Sequence, residues 1–113
     1  MTDQLVEDLG ATRDYMKAHG RCARGAMGVD GSVCFVIAAV RAVGTYDSDR
    51  RDAVMRALLG VLPEVPPEHR RFANQKDASD LELVLDYNEM PGVTDEDVWT
   101  LFDKAIAEAG GMA

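Results

Sequence analysis

The sequence predicts a mainly α domain: a compact bundle of four to five helices around a buried central helix. Three observations carry this expectation. Residues 33–43 (VCFVIAAVRAV) are apolar at every position except Arg41. That run is too short to span a bilayer, which takes about 20 residues, and too uniformly apolar to lie at a surface. Ala38, Ala39 and Ala42 favour helix over strand within it, and Gly44 is placed to end it. Flanking stretches then repeat apolar residues at three- and four-residue spacing, the period of helices with one face turned to a core. A chain of 113 residues can bury one such core but not two, so one helical domain over residues 1–113 is expected.

Taken in order, the first helix is expected over residues 3–18. Thr2 stands at its N-cap, and Asp3, Glu7 and Asp8 suit the positive end of its dipole. Leu5, Leu9, Thr12 and Met16 make its inward stripe, widened by Val6, and His19-Gly20 ends it. Residues 20–32 are glycine-rich. Asp30-Gly31 fits a two-residue hairpin turn, which would set a short β-hairpin before the central helix; equally, Ser32 could simply cap that helix.

After Gly44, the turn residues 45–49 lead into a helix running to about residue 62. Val54, Met55, Leu58, Leu59 and Leu62 face inward, and Arg50, Arg51 and Arg56 form the polar side. Pro63, Pro66 and Pro67 stop it. Residues 68–73 fit either a single helical turn or a loop. Ser79 and Glu82 have capping-box spacing ahead of a helix using Leu81, Leu83, Val84, Leu85 and Tyr87. The last helix has the clearest signature. Thr94 caps it, Asp97 occupies the box position, and Val98, Leu101, Phe102, Ala105, Ile106 and Ala109 form one stripe with Trp99 at its edge.

Charge narrows the possible partners. The net charge of −8 lies wholly in residues 76–113, which hold 10 acids against Lys76 and Lys104, whereas acids and bases cancel over residues 1–75. Binding of phosphate backbones by that acidic third is disfavoured, because phosphate contact needs Lys and Arg. Asp86, Glu89, Asp95, Glu96 and Asp103, with Trp99, are the candidate contact residues for a protein partner of basic character. The competing reading is a solvated surface in which Asp95, Glu96 and Asp97 answer a helix dipole. No membrane partner is expected. Met1-Thr2-Asp3-Gln4 does not lead into an apolar run, so no export signal and a cytoplasmic address are expected.

Candidate chemistry is sparse. His19, Cys22 and Cys34, with His69, are zinc-ligand types, but H-x2-C-x11-C lacks a paired Cys-x2-Cys or His-x3-His arm. Cys22 beside His19, Arg21 and Arg24 could be an activated thiol, although no third orienting group is recognisable. The plainer account is two buried thiols and a histidine at a helix end. Arg21 and Arg24 among glycines lack any phosphate-loop motif, so they are expected to be solvated or paired with acids. No cofactor is implied.

Several short motifs then belong together. Cys22-x-x-Gly25-Ala26, Cys34 opening an Ala-rich helix, and Tyr87-Asn88-Glu89 followed by Thr94-x-x-Asp97-Val98 resemble a family of small proteins of unknown function from actinobacteria and their bacteriophages. The resemblance touches residues 20–44 and 80–106. Arg21 stands where that family usually has Trp before the Cys-x-x-Gly-Ala segment. The resemblance implies a setting, the host cytoplasm if phage-encoded, and no activity, fold or ligand. Tyr87-Asn88-Glu89 is expected to act as a clasp joining the last two helices, with Asn88 either in the αL conformation or bonding the backbone of the following turn. The function expected is a non-enzymatic protein-binding module. The alternative is a small metal- or thiol-dependent enzyme using His19, Cys22 and Cys34.

Overall fold

A computed structural model describes residues 2–23, 31–44, 48–70, 72–74 and 81–111. Among these residues the fold is mainly α, with five α-helices: α1 (Thr2–His19), α2 (Phe35–Val43), α3 (Ser48–Gly60), α4 (Glu82–Glu89) and α5 (Asp95–Ala109). A 3-10 turn, Pro67–His69, lies between α3 and α4.

α1 packs most extensively on α2 and next on α5. Its predicted stripe holds: Leu9, Thr12 and Met16 are buried, with Leu5 packed beside them. Thr2 lies inside the helix rather than at its cap, a one-residue shift of the kind that helix ends commonly show. Gly20 terminates α1 at φ 91°, where an L side chain would be strained, and its N–H donates to the Met16 carbonyl.

The central helix begins two residues later than expected, and the reason is visible in the backbone. The Val33 N–H donates to the Gly20 carbonyl and the Cys22 N–H to the Val33 carbonyl, a single parallel bridge between Arg21 and Val33. Val33 is therefore extended, and Cys34 rather than Ser32 occupies the N-cap of α2, without a side-chain capping bond. The proposed hairpin turn at Asp30 lies outside the described residues. Gly44 closes α2 at φ 119°. Phe35, Ala38 and Ala39 are fully covered, while Ile37 and Val40 are half-buried. The Phe35 ring meets Phe102 of α5 at 5.4 Å between centroids, within the range where aromatic pairs attract.

α3 contributes Val54, Met55 and Leu58 to the core. It ends at Gly60, yet Val61 and Leu62 continue the turn through bonds to the Leu58 and Leu59 carbonyls. Its arginines are not simply a polar side. Arg50 reaches across to α1, where its Nε and Nη2 grip both oxygens of Asp8 at 3.0 and 2.7 Å. Asp8 is buried, and Gln4 donates a further bond to it. Hydrogen bonding from Arg50 holds the Asp8 carboxyl below the usual carboxylate range, against the opposing pull of burial. The residue 68–73 region resolves into the Pro67–His69 turn and a second turn at 72–74. The predicted cap Ser79 lies outside the described residues. The Thr94–Asp97 capping box of α5 is present as expected.

Candidate functional site

Four hydrogen bonds converge on Arg21, whose side chain is only 7% exposed. Its Nη1 donates to the main-chain carbonyl and to the side-chain Oδ1 of Asn88, at 2.7 and 3.0 Å. Nη2 donates to the Val93 carbonyl at 3.0 Å, and Nε to the Asp95 carboxylate at 2.8 Å. Asn88 returns a bond from Nδ2 to the Cys22 carbonyl at 2.7 Å. The segment after α1 is thereby clasped to the end of α4, the turn that follows, and the start of α5. Only a planar guanidinium offers donors in this fan. Asp95 is largely exposed, so the bonds to carbonyls stabilise more than the ion pair does.

The clasp differs from the expected one. Asn88 reaches back to residue 22 rather than forward, and Arg21 holds the forward turn in its place. Tyr87 is buried beside it; burial pushes its hydroxyl pKa up, and Asp97 adds to that.

The six candidate contact residues separate. Asp86 does not belong to a surface: it is 2% exposed, and its two oxygens accept the N–H groups of Phe72 and Ala73 at 2.7 and 2.9 Å. It anchors the 72–74 turn, and a buried carboxylate so bonded is unavailable to a partner. Glu89 is half-buried at the end of α4. The other four lie on α5. Asp95, Glu96 and Asp103 are exposed, and Trp99 is half-buried. Basic residues of α1 border this face. Arg13 pairs with Asp103 at 2.9 Å, and the Lys17 ammonium stands 5.5 Å from the Trp99 ring centroid, in cation–π range. Desolvation opposes the charge on Arg13, but Asp14 and Asp103 outweigh it and raise its pKa.

The residues of the thiol or metal alternative occupy unlike surroundings. His19 is exposed and stacks on Tyr15 at 4.1 Å between centroids, whereas Cys22 and Cys34 are buried thiols. His69 is half-buried in the 3-10 turn. Among the described residues no group of three or more His, Cys, Asp or Glu is arranged to hold a metal ion. Cys34 lines a cleft of about 290 Å³, chiefly apolar, with Val36, Ile37, Phe72 and Leu85. No helix among the described residues is long and apolar enough to cross a membrane.

Fold and site together define a helical module closed by an arginine clasp, with acids on the outer side of its last helix. The chain belongs to the family of unknown function DUF6197, which it matches over residues 1–108. No curated protein and no solved structure matches it.

Proposed function

We propose that this chain is a non-enzymatic protein-binding module that receives a basic partner on the outer face of α5. The observation supporting this reading is register. Glu96, Trp99 and Asp103 follow i, i+3, i+7 spacing and so share one helix face, with Asp95 alongside. An aromatic ring flanked by acids suits a Lys or Arg side chain, which gains both cation–π and ionic contact. Arg13 and Lys17 of α1 already occupy part of this face, and a partner's cations would exchange with them. The proposed setting is the cytoplasm of an actinobacterium, or of one infected by a phage.

The test is capture from an actinobacterial lysate on immobilised wild type and on a Glu96→Gln, Trp99→Ala, Asp103→Asn variant, at low and high salt. One protein enriched on wild type at about 0.1 M salt should be lost on the variant and at about 1 M, where the Debye length falls to about 3 Å. Equal recovery on both columns, or enrichment indifferent to salt, would overturn the reading.

A further inference from the structure

The parallel bridge that delays α2 has a second effect: a cysteine follows directly on each of its two bridged residues, Arg21 and Val33. Arg21 stands opposite Val33, the Cys22 N–H bonds the Val33 carbonyl, and Cys22 and Cys34 are the residues that leave the bridge on either side. Cys34 keeps extended backbone at φ −86°, ψ 178°, so the strand-like path runs through it before α2 begins. Side chains alternate along extended chains, and a parallel bridge places the residues that follow its bridged pair on the side opposite to that pair. Neighbouring extended segments lie about 4.8 Å apart, inside the range of about 4.4–6.8 Å between Cα atoms that a disulfide spans. Both residues are anchored by other bonds: Asn88 holds the Cys22 carbonyl, and the Ala38 N–H donates to the Cys34 carbonyl.

We infer that Cys22 and Cys34 form a modification site, an intramolecular disulfide made by exchange with a small, uncharged organic disulfide. Cys34 is the entry point, because it lines the apolar cleft between α2 and α4. Its thiolate attacks one sulfur of the small disulfide, forming a mixed disulfide and releasing one thiol. The Cys22 thiolate then attacks the Cys34 sulfur and releases the second thiol. Two protein thiols are oxidised, one small disulfide is reduced to two thiols, and the two protein protons leave with them. Glu89 on the cleft wall and the net charge of −8 disfavour anionic oxidants. The product fastens the segment after α1 to the start of α2, independently of any partner on α5.

The experiment uses the full chain under native conditions with hydroxyethyl disulfide as the oxidant. Thiol titration should fall from two to none, and intact mass should drop by two hydrogens with the chain still monomeric. Peptide mapping should join residue 22 to residue 34, and the oxidised protein should melt at higher temperature than the reduced one. Cys22→Ser should stop at a stable mixed disulfide on Cys34, and Cys34→Ser should react far more slowly. A wild-type protein that halts at the mixed disulfide, dimerises through its thiols, or reacts only in denaturant would overturn the inference. Because the wild-type mass alone decides this, poor folding of either variant leaves it testable.

Discussion

At the scale of single residues, the buried charges are the ones that matter. Asp8 and Arg50 form the most enclosed ion pair among the described residues, and Asp8 titrates below its ordinary range because of it. A carboxylate whose folded pKa is depressed adds stability that is fully present above its unfolded pKa, about 3.9, and lost as pH falls through the folded value. Asp8→Asn should therefore lower stability by about 1–2 kcal/mol near neutrality, with the half-exposed Arg50 moderating the loss. The gap between wild type and variant should close below about pH 4. Urea unfolding of both proteins from about pH 3 to about pH 7 checks this, and a pH-independent gap would contradict it. These roles were not legible in the sequence. Asp8 looked like a dipole partner and Arg50 a surface cation, because their pairing depends on how α3 crosses α1. Asp86 escaped for a similar reason: its carboxylate serves backbone groups of residues 72 and 73, for which the sequence offered no fixed conformation.

At the scale of the helix, legibility tracks how local the determining forces are. α5 was readable end to end because its cap, box and stripe all lie within the helix and its first turn. The Asp97 N–H donates to Thr94 Oγ1 at 3.2 Å, and the Thr94 N–H donates to Asp97 at 2.9 Å. Thr94→Ala should cost about 1 kcal/mol, and Thr94→Ser should retain most of the stability. Thermal melts of the two variants side by side test this, and equal losses would show that the hydroxyl is not the stabilising group. α2 was found but started too early, because apolar composition does not distinguish Val33 paired in a bridge from Phe35 in the first turn. The helix begins where the backbone stops bonding to residues 20–22, a partner distant in sequence.

At the scale of the whole molecule, the clasp was the least legible feature and the most consequential. Arg21 lies 67 and 74 residues from Asn88 and Asp95, and Asn88 lies 66 residues from Cys22. No window of sequence contains both ends. The short motifs flanking Arg21 and Asn88 carry no local sign that the arginine ties them together. The distribution of charge, by contrast, was fully visible in composition. What composition omitted was that Asp86 is withdrawn inside and that Asp95 and Asp103 already face arginines.

Those long separations also bear on time. A contact spanning most of the chain cannot reward folding until α4 and α5 have both docked, so loop-closure entropy places it late on the route. An interaction absent from the transition state changes the unfolding rate and leaves the folding rate nearly untouched. Asn88→Ala removes the side-chain bonds to Cys22 and Arg21 while leaving the Arg21 bond to the residue 88 main-chain carbonyl, a loss of about 1–3 kcal/mol, and should raise the unfolding rate by about 5- to 150-fold. Stopped-flow measurements over a denaturant series would show the unfolding arm lifted and the folding arm overlaid on wild type; a slowed folding arm would mean the clasp forms early. Closed last and opened first, Arg21 and Asn88 govern how long the native state survives once made, and so how often the segment after α1 is presented to a protease.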